Sequence, residues 1–319
     1  MLQETVDWLV QSLLGLESGA KAAETVNFFI YDSIKILLLL YFMIWFIGVL
    51  RTYIPQKKVR RWLGGGKLGV SYIIAALFGA VTPFCTCSSI PIFMSFIRAG
   101  VPLGPAFSFL VTSPLINEYL AVLMFGFFGL KVTVAYILFG LLLGIVSGVL
   151  IDRLKVERFI VEDLRLKAVE EKEAEYKRFI ERVDYGRREA SSIVKKLWLW
   201  VLLGVGVGAL IHGFIPEETI QSVLEKTGVF SVPLAVLVGV PLYANCSAVV
   251  PIAVVLFQKG VPLGTALAFM MATAALSLPE AVILRRVMKL QLIVIFFSMV
   301  AAGIMLIGYA FNLLPNILI

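Results

Sequence analysis

Histidine occurs once in this chain, cysteine three times, and only 15% of the residues are charged. Each scarcity excludes something. The single histidine, His212, stands near the outer end of an apolar run and reads as structural. No H-E-x-x-H signature and no phosphate-cradling G-x-x-x-x-G-K-[ST] loop is present. The sequence thus offers no metal site, cofactor site or catalytic centre, and an active transporter would draw its energy from a gradient or a partner. The cysteines, Cys85, Cys87 and Cys246, all lie in apolar stretches, whereas a disulfide-stapled secreted domain carries more of them at framework spacings.

Soluble domains carry about 25% charged residues. This chain is 60% hydrophobic with a mean hydropathy of +0.95, so it reads as an integral, multi-pass membrane protein, placed in the cytoplasmic (inner) membrane. Uncharged runs agree: 68–97, 132–151, 197–216, 227–258, 260–279 and 290–319. A run of about 20 apolar residues spans the ~30 Å hydrocarbon core. The net charge of +7 is confined to a few loops, which fits membrane topology and gives no reason to expect a nucleic-acid partner. The partners expected are membrane lipid and a small-molecule substrate; a homo-oligomer stays open. The opening M-L-Q-E-T-V-D-W is acidic where a signal peptide would be basic, so insertion is expected to use the transmembrane segments themselves.

G-V-P-L-G occurs at 100–104 and again at 260–264, an offset of 160. At that offset Pro91-Ile92 matches Pro251-Ile252, Ala106 matches Ala266, Phe109 matches Phe269, and Gly79 matches Gly239. Cys87-Ser88 falls opposite Ser247-Ala248, and Thr86 opposite Cys246. Repeats of this kind divide the chain into an N-terminal outer-surface segment (1–35), transmembrane repeat 1 (36–151), a charged cytoplasmic helical linker (152–196) and transmembrane repeat 2 (197–319). Arg51, Lys57, Lys58, Arg60, Arg61 and Lys67 make 51–67 purely basic, while the equivalent 216–228 carries Glu217, Glu218 and Glu225 against Lys226. Basic short loops stay cytoplasmic, so the two repeats are expected to have inverted topology. The linker, with thirteen basic and eleven acidic residues, returns the chain on the cytoplasmic side.

The fold class expected is an all-α polytopic membrane protein built of two inverted-topology repeats of about five transmembrane segments each, with broken helices near the midplane. The spans expected are 36–50, 68–84, 85–98, 102–129 and 132–151, then 197–215, 229–245, 246–258, 263–284 and 290–311. Those at 85–98 and 246–258 are too short to cross alone at ~1.5 Å per residue, which leaves half-helices or re-entrant hairpins as the alternative.

Polar and helix-breaking groups inside these spans need partners in protein or trapped water. Pro83 and Pro91 bracket C-T-C-S-S, and Pro241 and Pro251 bracket N-C-S-A. Each proline removes a backbone donor and disfavours a continuing helix. The turns at Gly100, Pro102 and Gly104 and at Gly260, Pro262 and Gly264 let the chain reverse. Discontinuous helices meeting at mid-depth form the substrate sites of many secondary transporters. The candidate substrate-binding residues are Cys85, Thr86, Cys87 and Ser88 with Asn245, Cys246 and Ser247. Thiolates are soft ligands for soft ions and, by the same logic, for trivalent arsenic. Glu118 and Glu280 are the carboxylates expected at membrane depth, where a charge costs ~2.5–3.5 kcal/mol or more. They are candidates for proton coupling, and capping of the helix after a break is the structural alternative.

T-P-F-C-T-C-S-S-I-P-I-F, R-A-G-V-P-L-G-P-A-F-S-F-L-V-T-S-P-L-I-N and K-G-V-P-L-G-T-A-L-A-F-M-M-A-T-A-A-L-S-L-P-E-A together resemble the bacterial predicted-permease family that includes the organoarsenical efflux permeases. The resemblance covers both halves. It implies export of a thiophilic compound with cysteines as candidate ligands, Cys85 and Cys87 matching the family's pair and Cys246 being a feature of this sequence. The alternatives are a permease for another solute, such as a metal or sulfur species, and a membrane thiol-redox protein using the C-x-C pair.

Overall fold

The computed structural model describes residues 21–53, 63, 69–81, 86–161, 178–214, 228–242, 246–258, 260–285 and 287–314. The described chain is helical apart from turns and one isolated antiparallel bridge between Ile160 and Met288. Eleven α-helices follow in order among these residues: α1 Lys21–Arg51, α2 Val70–Val81, α3 Thr86–Arg98, α4 Leu103–Leu115, α5 Glu118–Arg153, α6 Phe179–Phe214, α7 Ser231–Gly239, α8 Cys246–Gln258, α9 Leu263–Ala275, α10 Leu278–Leu284 and α11 Leu290–Leu313. By length and composition the helical stretches Leu120–Arg153, Leu263–Leu284 and Leu290–Leu313 are apolar enough to cross a membrane. Large apolar side chains such as Val122, Leu138 and Leu306 are exposed. A bilayer covers such surfaces; water would not.

The 160-residue offset of the sequence recurs in the helices. α3 and α8, α4 and α9 begin and end at positions 160 apart. Their connecting turns match bond for bond. Gly100 donates to the Ile97 carbonyl and Val101 to that of Phe96; Gly260 donates to Phe257 and Val261 to Leu256. This is the paired closure of a helix end that needs a left-handed residue, and Gly100 and Gly260 supply it with φ of 76° and 98°. Pro102 and Pro262 then take extended conformations and start the next helices.

α4 and α9 form the centre, each buried along all thirteen residues. Around α4, close approach depends on residues without side chains. A Cβ on Gly79 of α2 would meet the Phe109 carbonyl at 3.0 Å, and one on Gly239 of α7 would meet the Phe269 carbonyl at 3.1 Å. On α5 the row Gly140, Gly144, Gly148 faces Ile116, Thr112 and Ser108, with Gly104 beside Gly148. Small residues every fourth position let apolar helices pack backbone to backbone, where dispersion is the main attraction. Aromatic contacts join the halves: Phe107 with Phe296, Phe139 with Phe311, and Phe128 with Phe257.

These contacts set depth. α4 and the later part of α5 run antiparallel, so Gly104 lies level with Gly148 and Asp152, and Ile116 lies level with Gly140. Gly140 is about 16 Å along the helix from Gly129 and about 20 Å from Arg153, so α4 ends beside the middle of that part of α5. α2 runs beside α4 in the same direction, from Tyr72 at Asp152 to Gly79 at Phe109 and Ser113. α3 returns, with Ser89 at Ser113 and its last residues at the Gly100 turn. α2 and α3, of 12 and 13 residues, are about 18–20 Å long, shorter than the ~30 Å hydrocarbon core.

Other expected boundaries shift. The span 102–129 is two helices that break at Ile116–Asn117, and 263–284 breaks at Leu276–Ser277. Gly129, with φ 80° and ψ 175°, interrupts α5. α1 runs unbroken through the expected boundary at 35–36, and α6 runs unbroken through that at 196–197. Charge marks where water begins, whereas helical hydrogen bonding continues wherever a helix partner covers it, and α1 and α6 cover each other.

Contacts also show which loops and helix ends lie together. Arg182 donates to the Thr52 carbonyl at 2.6 Å and stacks on Tyr53, so the end of α1 meets the linker. Lys289 donates to the Phe159 carbonyl and Val161 to that of Val287, so the start of the linker meets the loop before α11. Tyr309 donates to the Val229 carbonyl, which puts the start of α7 with the far end of α11.

Candidate functional site

The two G-V-P-L-G turns are held by matched latches. The Gly104 amide donates to Asp152 Oδ1 at 2.7 Å, and the Gly264 amide donates to Asn312 Oδ1 at 2.7 Å. Both acceptors are 48 residues after their glycine. On the linker side Tyr72 Oη donates a second bond to Asp152 Oδ2 at 2.6 Å. On the far side Asn312 Nδ2 donates to Thr265 Oγ1, which in turn shares a bond with Ser231 Oγ. The sequence reading missed these residues. Asp152 and Asn312 stand at the same 160 offset as the pentapeptides and could have been found by extending it to the ends of the halves.

Two helix breaks lie among the described residues, at Ile116–Asn117 and at Leu276–Ser277. The described parts of α3 and α8 start at Thr86 and Cys246, 160 residues apart. Pro91 lies inside α3 and Pro251 inside α8. Neither can donate to the carbonyl four residues earlier, at Cys87 and Ser247. The break at Ile116–Asn117 is capped by a side chain, whereas that at Leu276–Ser277 has no side-chain cap. Asn117 Oδ1 accepts from the Leu120 amide at 2.8 Å, and Tyr136 Oη donates to the Leu115 carbonyl at 3.0 Å. In the second half the Leu278 amide donates to the Val240 carbonyl, tying the break after α9 to the end of α7 beside Pro241.

Of the residues singled out from sequence, Pro83, Cys85 and Asn245 lie outside the described residues. Thr86, Cys87, Ser88, Cys246, Ser247 and Glu118 are described as helix backbone only. The expectation that the three sulfurs converge therefore falls outside the description. Among the described residues no group of three or more His, Cys, Asp or Glu stands close enough to hold a metal ion. Glu280 is fully described. It is 2% exposed, and neither carboxylate oxygen has a hydrogen-bond partner among the described residues. It sits in the first turn of α10, which packs against α3 and α6. Its carboxyl thus belongs to the second half but lies in the helix that touches the C-T-C-S-S helix of the first. α8 packs likewise on α5, so each half supplies a wall to the other's break.

Ser89 Oγ and Ser113 Oγ share a hydrogen bond at 2.8 Å, both fully buried. This pair fixes the N-terminal part of α3 against the C-terminal end of α4. Arg98, at the last turn of α3, and Ser95, which donates to the Pro91 carbonyl at 3.0 Å, complete the polar groups of that helix. On the linker, Asp184 has its carboxyl held below the ordinary range, first by the hydrogen bond from Arg187.

A family model described as predicted permease matches residues 21–313. The chain is 21% identical to the UPF0718 protein MJ0584 of Methanocaldococcus jannaschii, over 75% of this chain and 81% of that protein. It is 26% identical to the UPF0718 protein YcgR of Bacillus subtilis, over 33% of this chain and 36% of that one. No solved structure matches significantly.

Proposed function

Because this chain belongs to the predicted-permease family, we propose that it is a secondary permease of the cytoplasmic membrane that exports a small thiophilic or organic solute, first among them a trivalent organic or inorganic arsenical. The observation that carries the reading is the matched pair of 13-residue helices α3, Thr86–Arg98, and α8, Cys246–Gln258, each with a proline inside it. The carbonyls released by Pro91 and Pro251 are polar groups within apolar helices, where a bilayer offers no bulk water to satisfy them. A solute cavity gives them a use.

In this reading Cys85 and Cys87 are the soft ligands, Thr86, Ser88, Asn245 and Ser247 satisfy backbone groups, and Cys246 supplies a third sulfur. Two sulfurs suffice for a mono-organo arsenical; three complete a trigonal site for the inorganic form. Glu280, buried without a hydrogen-bond partner among the described residues on the helix that packs against α3, is the group that exchanges a proton with the opposite movement of solute, with Glu118 as its counterpart in the first half. The two halves have inverted topology, so that rocking of one against the other opens the site to alternate sides.

Uptake of a panel of arsenicals into everted vesicles, with and without an imposed pH gradient, tests the reading. Accumulation that needs the protein and collapses with the gradient is expected. Disulfide cycling of the C-x-C pair without any solute movement would favour a thiol-redox protein instead.

A further inference from the structure

A groove of about 420 Å³ opens between α1 and α6, lined by Tyr41, Arg187, Arg188, Ser191, Ser192 and Lys195. Three cations, two hydroxyls and a phenol share one concave surface, and nothing in the permease reading uses it. Asp184 pairs with Arg187 at 3.0 Å and also with Arg188. Both guanidinium groups remain largely exposed, 68% and 75%, so this solvent-screened pairing leaves donors for a second anion. Lys195 has no ion-pair partner among the described residues.

Depth identifies the anion's carrier. Lys195 stands two residues before 197–214, an uncharged helical stretch of about 27 Å, nearly the thickness of the hydrocarbon core. The groove therefore lies just on the charged side of the boundary where α6 turns apolar, level with the apolar stretch of α1 that packs on it. Next to it on α1, Leu38, Phe42 and Phe46 form an exposed apolar row at four-residue spacing, each about half exposed. On α6, Trp198 and Leu199 continue the apolar surface toward the core. A free phosphate would use the cations alone. A phospholipid would use both, with its phosphate among the cations and serines and its acyl chains along the exposed row.

We propose that this groove is a binding site for an anionic phospholipid of the cytoplasmic leaflet, whose headgroup bridges α1 and α6. Basic pockets between helices at that face suit such lipids. Two contacts make the helices a fixed cradle. A Cβ on Gly186 would meet the Trp45 carbonyl at 2.7 Å, and Arg182 is tied to Thr52 at the end of α1.

The test is lipid retention by native mass spectrometry of full-length protein from nanodiscs of equal phosphatidylglycerol and phosphatidylcholine. Wild type is expected to retain phosphatidylglycerol selectively. Arg187→Gln/Arg188→Gln/Lys195→Gln should lower that preference on the order of tenfold. A charge-matched control, Lys155→Gln/Arg285→Gln/Lys289→Gln, removes three exposed cations of the same side and should leave it unchanged. Equal loss in the control would mean bulk charge and overturn the site. Displacement of the bound lipid by millimolar inorganic phosphate would make the groove a free-anion site and overturn the lipid assignment. Absence of selective retention in wild type would overturn both.

Discussion

Asp152 holds Gly104 at 2.7 Å across the foot of α4, and the same carboxylate accepts from Tyr72. One side chain thus fixes the entry of α2, the turn before α4 and the end of α5. Asn312 does the corresponding work for Gly264, which shows that an amide oxygen suffices for the backbone bond. Asp152→Asn should keep the fold with a loss under about 1 kcal/mol, since it can still accept from Gly104. Asp152→Ala should cost about 1–3 kcal/mol by leaving donors unpaired. Thermal unfolding in detergent of both variants and of Tyr72→Phe would check the order.

Helix spacing gives a second prediction. Gly79→Ala and Gly239→Ala would place a methyl about 3.0 Å from neighbouring atoms of α4 and α9. The helix pairs must separate, at a cost of about 1–3 kcal/mol each. Gly126→Ala faces open space and should be neutral or slightly stabilising. Urea midpoints for the three variants in micelles should show this contrast.

The proposed inverted arrangement makes a prediction about sidedness. In a background lacking the native cysteines, Tyr53→Cys and Lys289→Cys should be protected from an impermeant thiol reagent on intact cells. Val229→Cys should label. All three positions are exposed. Labelling of all three from one side would contradict the inverted arrangement.

Glu280→Gln keeps the shape of a buried side chain that has no partner among the described residues and removes its proton exchange. It should fold and reach the membrane but lose most pH-gradient-driven transport, measured as the ratio of uptake with and without the gradient. Glu118→Gln is the matching test in the first half. Unchanged pH dependence in both would remove proton coupling through these carboxyls.

Alanine at the cysteines separates ligand from filler, because it removes sulfur but keeps a small apolar group. Cys85→Ala/Cys87→Ala should insert normally and lose export of trivalent arsenicals by tenfold or more. Cys246→Ala should affect inorganic arsenic more than mono-organo forms. Wild-type export by the double variant would make the sulfurs packing groups.

The sequence by itself determined the class and the repeat. Hydropathy marks a membrane protein because burial in lipid depends on composition alone. The pentapeptides at 100 and 260 marked matched turns because only glycine adopts the φ found there without strain. Pro91 and Pro251 likewise marked helices with released carbonyls. Tertiary structure decided what hydropathy cannot encode. The stretch from 102 to 129 is apolar throughout, and its break at Ile116–Asn117 appears only when Asn117 caps the next helix and Tyr136 reaches back to Leu115. Short helices and full crossings read alike in hydropathy, since both lie among apolar neighbours; which is which depends on the register of α2 and α3 against α4. The packing of α10, which carries Glu280, against α3 is likewise a contact between halves. No local rule links residues that far apart in sequence, because packing alone brings them together.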